Sequence, residues 1–366
     1  MFRTMVLLGL AISLSSFSSS SLPPLGLLNS GNTCYLNSVV QTLYHLPLIR
    51  EQVVAQDSPL STLFSLLSSS SSNFSPPVST IPLTDSLNIN PFEQQDSHEF
   101  FKSLLYPTLP PSTQSLYAGS LSNYIRPLDP SSSVPPSTRQ EAFTDLSLDV
   151  SESLNSLPLS LQEFTSPDKL LLSENNGWKP KDSASKIDAE KGSSINKASL
   201  PSILLIHLKR FRFDWQRNVG VKVFGRFGLG SKSGDLDLDG ISYKLQSVIV
   251  HSGEFGSGHY YAYVKTSGFL AGERETWVRC DDDRVAEVSF DDVVVDAFGD
   301  EPEPDRQRRK RRFFMSLFGR NSHSDGYGGN KSCAFLLQFV KSSQVEKLFL
   351  SSHTPSPSPS PSHTEL

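Results

Sequence analysis

Residues 27–38 read LLNSGNTCYLNS, and they set one cysteine, Cys34, among asparagines, a glycine and small hydroxyl residues at the start of an apolar periodic run. From that cysteine onward Leu36, Val39, Val40, Leu43 and Leu46 recur at steps of three and four, the spacing that one buried helical face requires. Pro47 ends or interrupts this helix. Cys34 therefore falls in a first helical turn, where unpaired backbone N–H groups and the helix dipole stabilise a thiolate. A small buried cysteine at a helix start satisfies the helix alone. A nucleophile further requires a base and an acceptor that holds the base's tautomer, supplied from elsewhere in the chain.

Composition narrows the choice. The 366 residues are 37% hydrophobic and 19% charged with a formal net charge of -5, as in ordinary globular proteins, and nothing suggests a polyanion binder, so nucleic acid is not an expected partner. There are only 3 cysteines, Cys34, Cys280 and Cys333, which cannot staple a fold. No two are closely spaced, so the pattern suggests a reducing compartment and gives no support for a structural metal.

The N-terminal MFRTMVLLGLAISLSSFSSSS has a lone Arg3, an apolar stretch from Met5 to Leu14 and then serines, loosely the layout of a signal peptide. An organellar targeting segment or a plain leader fits the same residues, and the run is too short to span a membrane stably. After this leader, 1–24, a single domain is expected over 25–341, interrupted by low-complexity stretches at 68–80, 107–138, 173–199 and 299–331 that read as surface loops. The Ser/Pro-rich tail, 342–366, reads as disordered. Within 299–331 the run RQRRKRR, 306–312, suits a nuclear localisation signal, an anionic-surface contact or a solvated loop, and the adjacent EPEPD partly neutralises it.

Helical patterns come first and strand patterns follow, which gives an α+β class. DSHEFFKSLL, 96–105, reads as a second amphipathic helix, whereas SILLIHLKRFRF, YKLQSVIVHSG, HYYAYVKT and CAFLLQFV are short apolar or aromatic runs that read as strands of one sheet. GSGHYYAYV places His259 at the start of a strand behind small residues, and WVRCDDDRV follows with Asp281, Asp282 and Asp283. A hairpin between these segments would carry an aspartate to the imidazole.

Taken together these blocks resemble the ubiquitin-specific protease family of cysteine deubiquitinases. GLLNSGNTCYLNS resembles its Cys box, and YKLQSVIVHSGEFGSGHYYAYVK with WVRCDDDRV its His box. QQDSHEFF (94–101), EAFTDLSLDV (141–150), LPSILLIHLKRFRFD (200–214) and the closing CAFLLQFVK are similar to further family blocks in the same order, so the resemblance spans 25–341. It implies a papain-like fold with a helical thumb up to about residue 110, a strand-rich palm and fingers, and a cleft between them. Carried over by position, Cys34 would be the nucleophile, His259 the general base and then acid, Asp281 its orienting partner with Asp282 as fallback, and Asn29 the oxyanion-stabilising amide. Asp96 and Glu99 would meet the basic C-terminal tail of ubiquitin, with Tyr260 beside His259 helping to channel it.

The resemblance also implies ubiquitin and ubiquitinated proteins as partners, no cofactor, a monomer, and residence in the cytoplasm or nucleus, unless the N-terminal segment directs the chain to an organelle or membrane. The alternatives are a catalytically weak ubiquitin-binding scaffold, a protease for a ubiquitin-like modifier and, more distantly, a thiol enzyme unrelated to proteolysis. One departure is informative. Many family members hold zinc with two cysteine pairs in the fingers, but YIRPLDP puts Arg126 and Asp129 where the first pair would fall, and the second region has no cysteine at all. Elemental analysis of the purified protein is therefore expected to find no stoichiometric zinc, and one zinc per chain would contradict this reading.

Overall fold

The computed structural model describes residues 25–69, 76–181, 183–270, 272–299 and 331–350. Helices come first: α1 (Cys34–Tyr44), α2 (Pro47–Val54), α3 (Pro59–Ser69), α4 (Ile81–Ser86), α5 (Ser97–Glu99, continued by a π-helical turn over Phe100–Leu105) and α6 (Pro111–Tyr117). Then come β1 (Gly119–Pro127), β2 (Ser137–Phe143), β3 (Leu146–Asp149), α7 (Leu157–Thr165), β4 (Asp168–Leu170), β5 (Ala189–Ile195), β6 (Ile203–Lys209), β7 (Phe211–Asp214) and β8 (Val219–Lys222). The chain closes with β9 (Leu236–Leu238), β10 (Ile241–Glu254), β11 (Ser257–Ser267), β12 (Thr276–Asp281), β13 (Arg284–Val288), α8 (Phe290–Phe298), β14 (Ser332–Lys341) and α9 (Val345–Leu350).

The strand-like runs do share one sheet, ordered β13-β12-β11-β10-β14-β6-β3 with β9 alongside β10, and only the β3/β6 pair is parallel. Both faces are covered. In β11, Tyr260, Ala262 and Val264 point into a core shared with the helical lobe, while Tyr261 and Tyr263 point into a second core with α7 and α8. That alternation is the period of two that a strand imposes, and burial on both sides explains why these strands read as continuous apolar runs. A separate four-stranded sheet, β2-β1-β5-β4, and the β7/β8 hairpin complete the architecture, and the α+β expectation holds.

Several local expectations are corrected. Helix α1 buries every one of its residues, not one face, because it lies between the other helices and the sheet. Its polar side chains bond inward: Asn37 Nδ2 donates to Asp282 Oδ1 (2.8 Å), Gln41 Nε2 to Leu25 O (2.8 Å) and Ser38 Oγ to Cys34 O (2.8 Å). Pro47 does not break α1, which has already ended at Tyr44; it opens α2, where a missing N–H costs nothing. The stretch 107–138 contains α6, β1 and the start of β2, and 173–199 contains β5. The serines there hid strands that are stabilised mainly by backbone pairing; β2 is exposed along nearly its whole length, so it carries no apolar alternation to read. Within 68–80, Val78 forms a bridge with Leu27. The tail contributes α9, whose Val345 and Leu348 are buried in the helical core. The leader 1–24, the basic run 306–312 and residues 351–366 lie outside the described residues. Among the described residues no helix is long and apolar enough to cross a membrane.

The helical lobe is pinned to the sheet by a buried carboxylate. Asp145, just before β3, accepts from His98 Nε2 of α5 (2.9 Å), pairs with Lys102 Nζ (2.9 Å) and accepts from Ser147 Oγ (3.1 Å), while the His98 ring stacks on His207 of β6 at 4.1 Å. Burial would raise the Asp145 pKa, but hydrogen bonds from His98 and Lys102 hold it well below the usual carboxylate range. The carboxylate's contribution is thus present above the unfolded value of about 3.9 and lost as pH falls below it. Asp145→Ala is expected to cost about 3 kcal/mol in denaturant unfolding at neutral pH. The difference from wild type should shrink as the pH is taken below about 4.

Candidate active site

The loop before α1 is shaped by Asn29. Its Oδ1 accepts from the backbone of Gly31 (3.2 Å) and Thr33 (3.0 Å) and from Thr33 Oγ1 (3.3 Å), and Thr33 Oγ1 in turn accepts from Ser30 N (3.1 Å). Gly31 sits at φ +137°, and a Cβ there would come within 2.6 Å of Pro91 O, so only glycine lets the loop pass this close to the segment before α5. The result delivers Cys34 at the first position of α1 with its side chain turned toward β11.

Cys34 is 3% exposed, and its Sγ accepts from the Tyr260 backbone N–H at 3.5 Å. His259, paired with Ser252 across the β10/β11 hairpin, puts Nε2 2.6 Å from Asp281 Oδ1, and the same imidazole interacts with the Cys34 thiol. Burial lowers the pKa of this imidazole, yet the hydrogen bonds to Asp281 and Cys34 and their charges outweigh it and push the value up to about 10. Asp281 moves the other way: burial raises it, but His259 and Arg279 keep it below the usual carboxylate range. A thiol, an imidazole and a carboxylate thus stand in one row, with the imidazole side chain 39% exposed at the cleft. Such a row can generate a thiolate–imidazolium pair and perform nucleophilic acyl transfer.

Asp282 takes a different part from the fallback foreseen for it. Its Oδ2 is 4.0 Å from His259 Nε2, and its carboxylate instead accepts from Asn29 Nδ2 (2.9 Å) and Asn37 Nδ2 (2.8 Å), while burial raises its pKa despite those amides. The Asn29 amide is therefore anchored beside the site by Asp282. Tyr260, expected along the substrate channel, has its ring 2% exposed and set 4.6 Å from the His251 ring; what it offers the site is its backbone N–H. Asp96 caps α5 by accepting from His98 N (2.7 Å) and Glu99 N (3.2 Å), and burial raises its pKa against those bonds. Glu99 remains exposed and accepts from Ser103 Oγ (3.3 Å). Cys280 and Cys333 are buried free thiols, and burial pushes Cys280 up.

Sequence reading missed four residues. Asn37 could have been flagged as an amide on a buried helix position. Gln94 Nε2 bridges to Gly258 O (2.7 Å) across the cleft, and the QQ pair before DSHEFF was its only signal. Lys222 Nζ donates to the carbonyls of His251 (2.9 Å), Gly253 (2.8 Å) and Lys331 (3.0 Å), holding the hairpin that carries His259, and nothing local marks it. Arg279 Nη2 donates to Asp281 Oδ2 (2.7 Å) from two residues away on β12. Among the described residues, the one group of His, Cys and acidic atoms close enough to share a metal ion is His259, Asp281 and Asp282, the members of this same site.

The family model described as ubiquitin carboxyl-terminal hydrolase matches residues 25–303. The chain is 28% identical to ubiquitin C-terminal hydrolase 12 of Arabidopsis thaliana over 361 residues, covering 88% of this chain and 30% of that protein. It is 30% identical to ubiquitin carboxyl-terminal hydrolase 15 of Schizosaccharomyces pombe over 309 residues, 76% of this chain and 26% of that protein. The chain belongs to the ubiquitin carboxyl-terminal hydrolase family. It spans about a quarter to a third of the length of these relatives.

The imidazole pKa is directly measurable. Because the folded value of about 10 lies above the unfolded value near 6.5, the stability tied to imidazolium is present below pH 6.5 and lost as pH rises through 10. NMR titration of His259 should give a midpoint well above neutral, and Asp281→Asn should bring it down toward 6.5. An unchanged midpoint in that variant would contradict the assigned cause.

Proposed function

We propose that the protein is a thiol-dependent deubiquitinase that hydrolyses the isopeptide or peptide bond after the C-terminal glycine of ubiquitin. The observation that carries this reading is the Cys34–His259–Asp281 row at the cleft between helical lobe and sheet, in a chain of this family. Cys34 Sγ, as thiolate, attacks the glycine carbonyl carbon. The oxyanion that develops is stabilised by backbone N–H groups at the start of α1 and by the Asn29 amide, a donor of a kind whose loss typically costs about 3 to 4 kcal/mol of transition-state stabilisation. Imidazolium His259 gives its proton to the departing lysine amine, leaving a thioester on Cys34. Neutral His259 then takes a proton from water, which attacks the thioester and releases ubiquitin. Asp281 holds the imidazole in the tautomer this requires.

Asp96, which caps α5, and the exposed Glu99 are the acidic groups that meet a basic tail. Ubiquitin and ubiquitinated proteins are the partners, the chain acts as a monomer without cofactor, and its free thiols suit the cytoplasm or nucleus. Reaction with ubiquitin bearing a C-terminal thiol-reactive group should give an adduct mapped to Cys34, and the same probe built on other ubiquitin-like modifiers should give none. Cys34→Ala should abolish hydrolysis of a ubiquitin C-terminal amide while leaving the unfolding transition in place. An adduct only with another modifier would overturn the substrate, and no adduct in a folded sample would favour a binding scaffold.

A further inference from the structure

We propose that Arg279 is a positioning residue for the hydrolysis, clamping Asp281 so that His259 and Cys34 stay paired, and that α8 supports it through Asp296 and two tyrosines. The inference rests on the triad reading above and adds a residue that reading does not contain.

A carboxylate has two oxygens, and a catalytic one is useful only when the oxygen facing the imidazole stays there. Asp281 spends Oδ1 on His259 Nε2 (2.6 Å) and Oδ2 on Arg279 Nη2 (2.7 Å). With both oxygens tied, rotation about the last side-chain torsion breaks a charge-assisted bond at each end. Arg279 reaches Asp281 because residues two apart on a strand point to the same side. Its own side chain is 11% exposed and is fixed in turn. The guanidinium lies 4.0 Å from the ring centroid of Tyr261 and 6.0 Å from that of Tyr263, which is paired with it across β11/β12. The hydroxyls of both tyrosines donate to one oxygen of Asp296, Tyr261 at 2.6 Å and Tyr263 at 2.8 Å. Asp296 belongs to α8, whose capping box at Ser289 and Asp292 fixes its start.

One line of contacts thus runs from a helix on the far face of the sheet to the thiol. Tyr261 and Tyr263 sit in the core opposite the helical lobe, so the clamp is built on the side of the sheet away from Cys34. That location separates its role from substrate binding. Arg279 contributes orientation: the Asp281 it holds is the acceptor that favours imidazolium at His259. Removing it frees Asp281 to rotate away from His259, and the imidazolium beside Cys34 loses that acceptor. The other titratable groups facing the pair are Asp282, His251 and Tyr260 on the sheet side and Tyr35 from the helical lobe; the substitution leaves all of them in place.

The test uses the full chain with Arg279→Met, Arg279→Lys and Asp296→Asn, and Cys34→Ala as the dead control. Two readouts are taken. In turnover of a ubiquitin C-terminal fluorogenic amide, Arg279→Met should lower kcat by about 10-fold or more with KM within about twofold of wild type, and Arg279→Lys should recover part of the loss. In alkylation of Cys34 by iodoacetamide, mapped by peptide mass, the onset with pH should move about one unit to the alkaline side in Arg279→Met and less in Asp296→Asn. Wild-type kcat and an unmoved onset in a folded Arg279→Met sample would overturn the proposal. If that variant fails to unfold cooperatively, wild-type behaviour of folded Arg279→Lys and Asp296→Asn together would overturn it equally. Alkylation needs no ubiquitin, so a wild-type chain that turns over no ubiquitin amide refutes the deubiquitinase reading while the alkylation onsets still judge the clamp.

Discussion

The carboxylate and main-chain oxygen of Asp282 hold the two halves of this molecule in register. The turn between β12 and β13 presents Asp282 in a left-handed conformation, φ +53°, which an aspartate tolerates more readily than most side chains. Its carbonyl accepts from Leu27 N (2.8 Å), and its carboxylate accepts from the amides of Asn29 and Asn37, one on the loop before α1 and one inside it. Gly26 passes so close that a Cβ would lie 2.4 Å from Asp283 O. Loop, helix and turn are therefore one welded unit, and the position of Cys34 relative to His259 follows from it. The proposed nucleophile and base are more than two hundred residues apart in sequence, and this small set of contacts brings the start of α1 to the turn beside them.

From that weld the rest of the site is arranged in tiers. Asp281 closes β12 and faces the imidazole, while Asp282, in the left-handed turn that follows, is committed to the helical lobe; one aspartate serves the sheet's site and the next serves the join. Asp145 with His98 and Lys102 makes a second attachment, at the other end of the lobe, through α5. Two separated anchors on a helical lobe define its orientation as well as its distance, and this keeps the cleft between them at a fixed width. Lys222 does the same for the β10/β11 hairpin by holding three carbonyls at once.

How much of this was legible in the sequence depends on the range of the interaction concerned. Cys34, His259 and Asp281 stand in short segments whose local patterns, a helix start, a glycine-flanked strand and a hairpin turn, are set by neighbours within a few residues. The strands of the large sheet were legible because burial on both faces makes them apolar throughout. The strands β1, β2 and β5 were not, since their serines and charged residues face water and their stability lies in backbone pairing that leaves no side-chain signature. Helix α9 was hidden for a different reason: its few apolar residues adjoin a Ser/Pro-rich stretch that dominates the local composition. The division of labour between Asp281 and Asp282 could not be read either, because which of two adjacent carboxylates meets the imidazole is decided by amides some two hundred and fifty residues away.

The complete enclosure of α1 has a consequence for how the protein comes into being. This helix, with its row of buried amides and its thiol, precedes in the chain most of the surfaces that cover it. Much of that cover belongs to β11 and β12, more than two hundred residues further along the chain, and until they exist the loop-closure cost of ordering α1 is only partly offset by the neighbouring helices. Cys34 meets His259 and Asp281 only after β11 and β12 have been made. A chain made only as far as the helical lobe therefore holds the thiol without the imidazole and carboxylate that stand beside it in the finished fold.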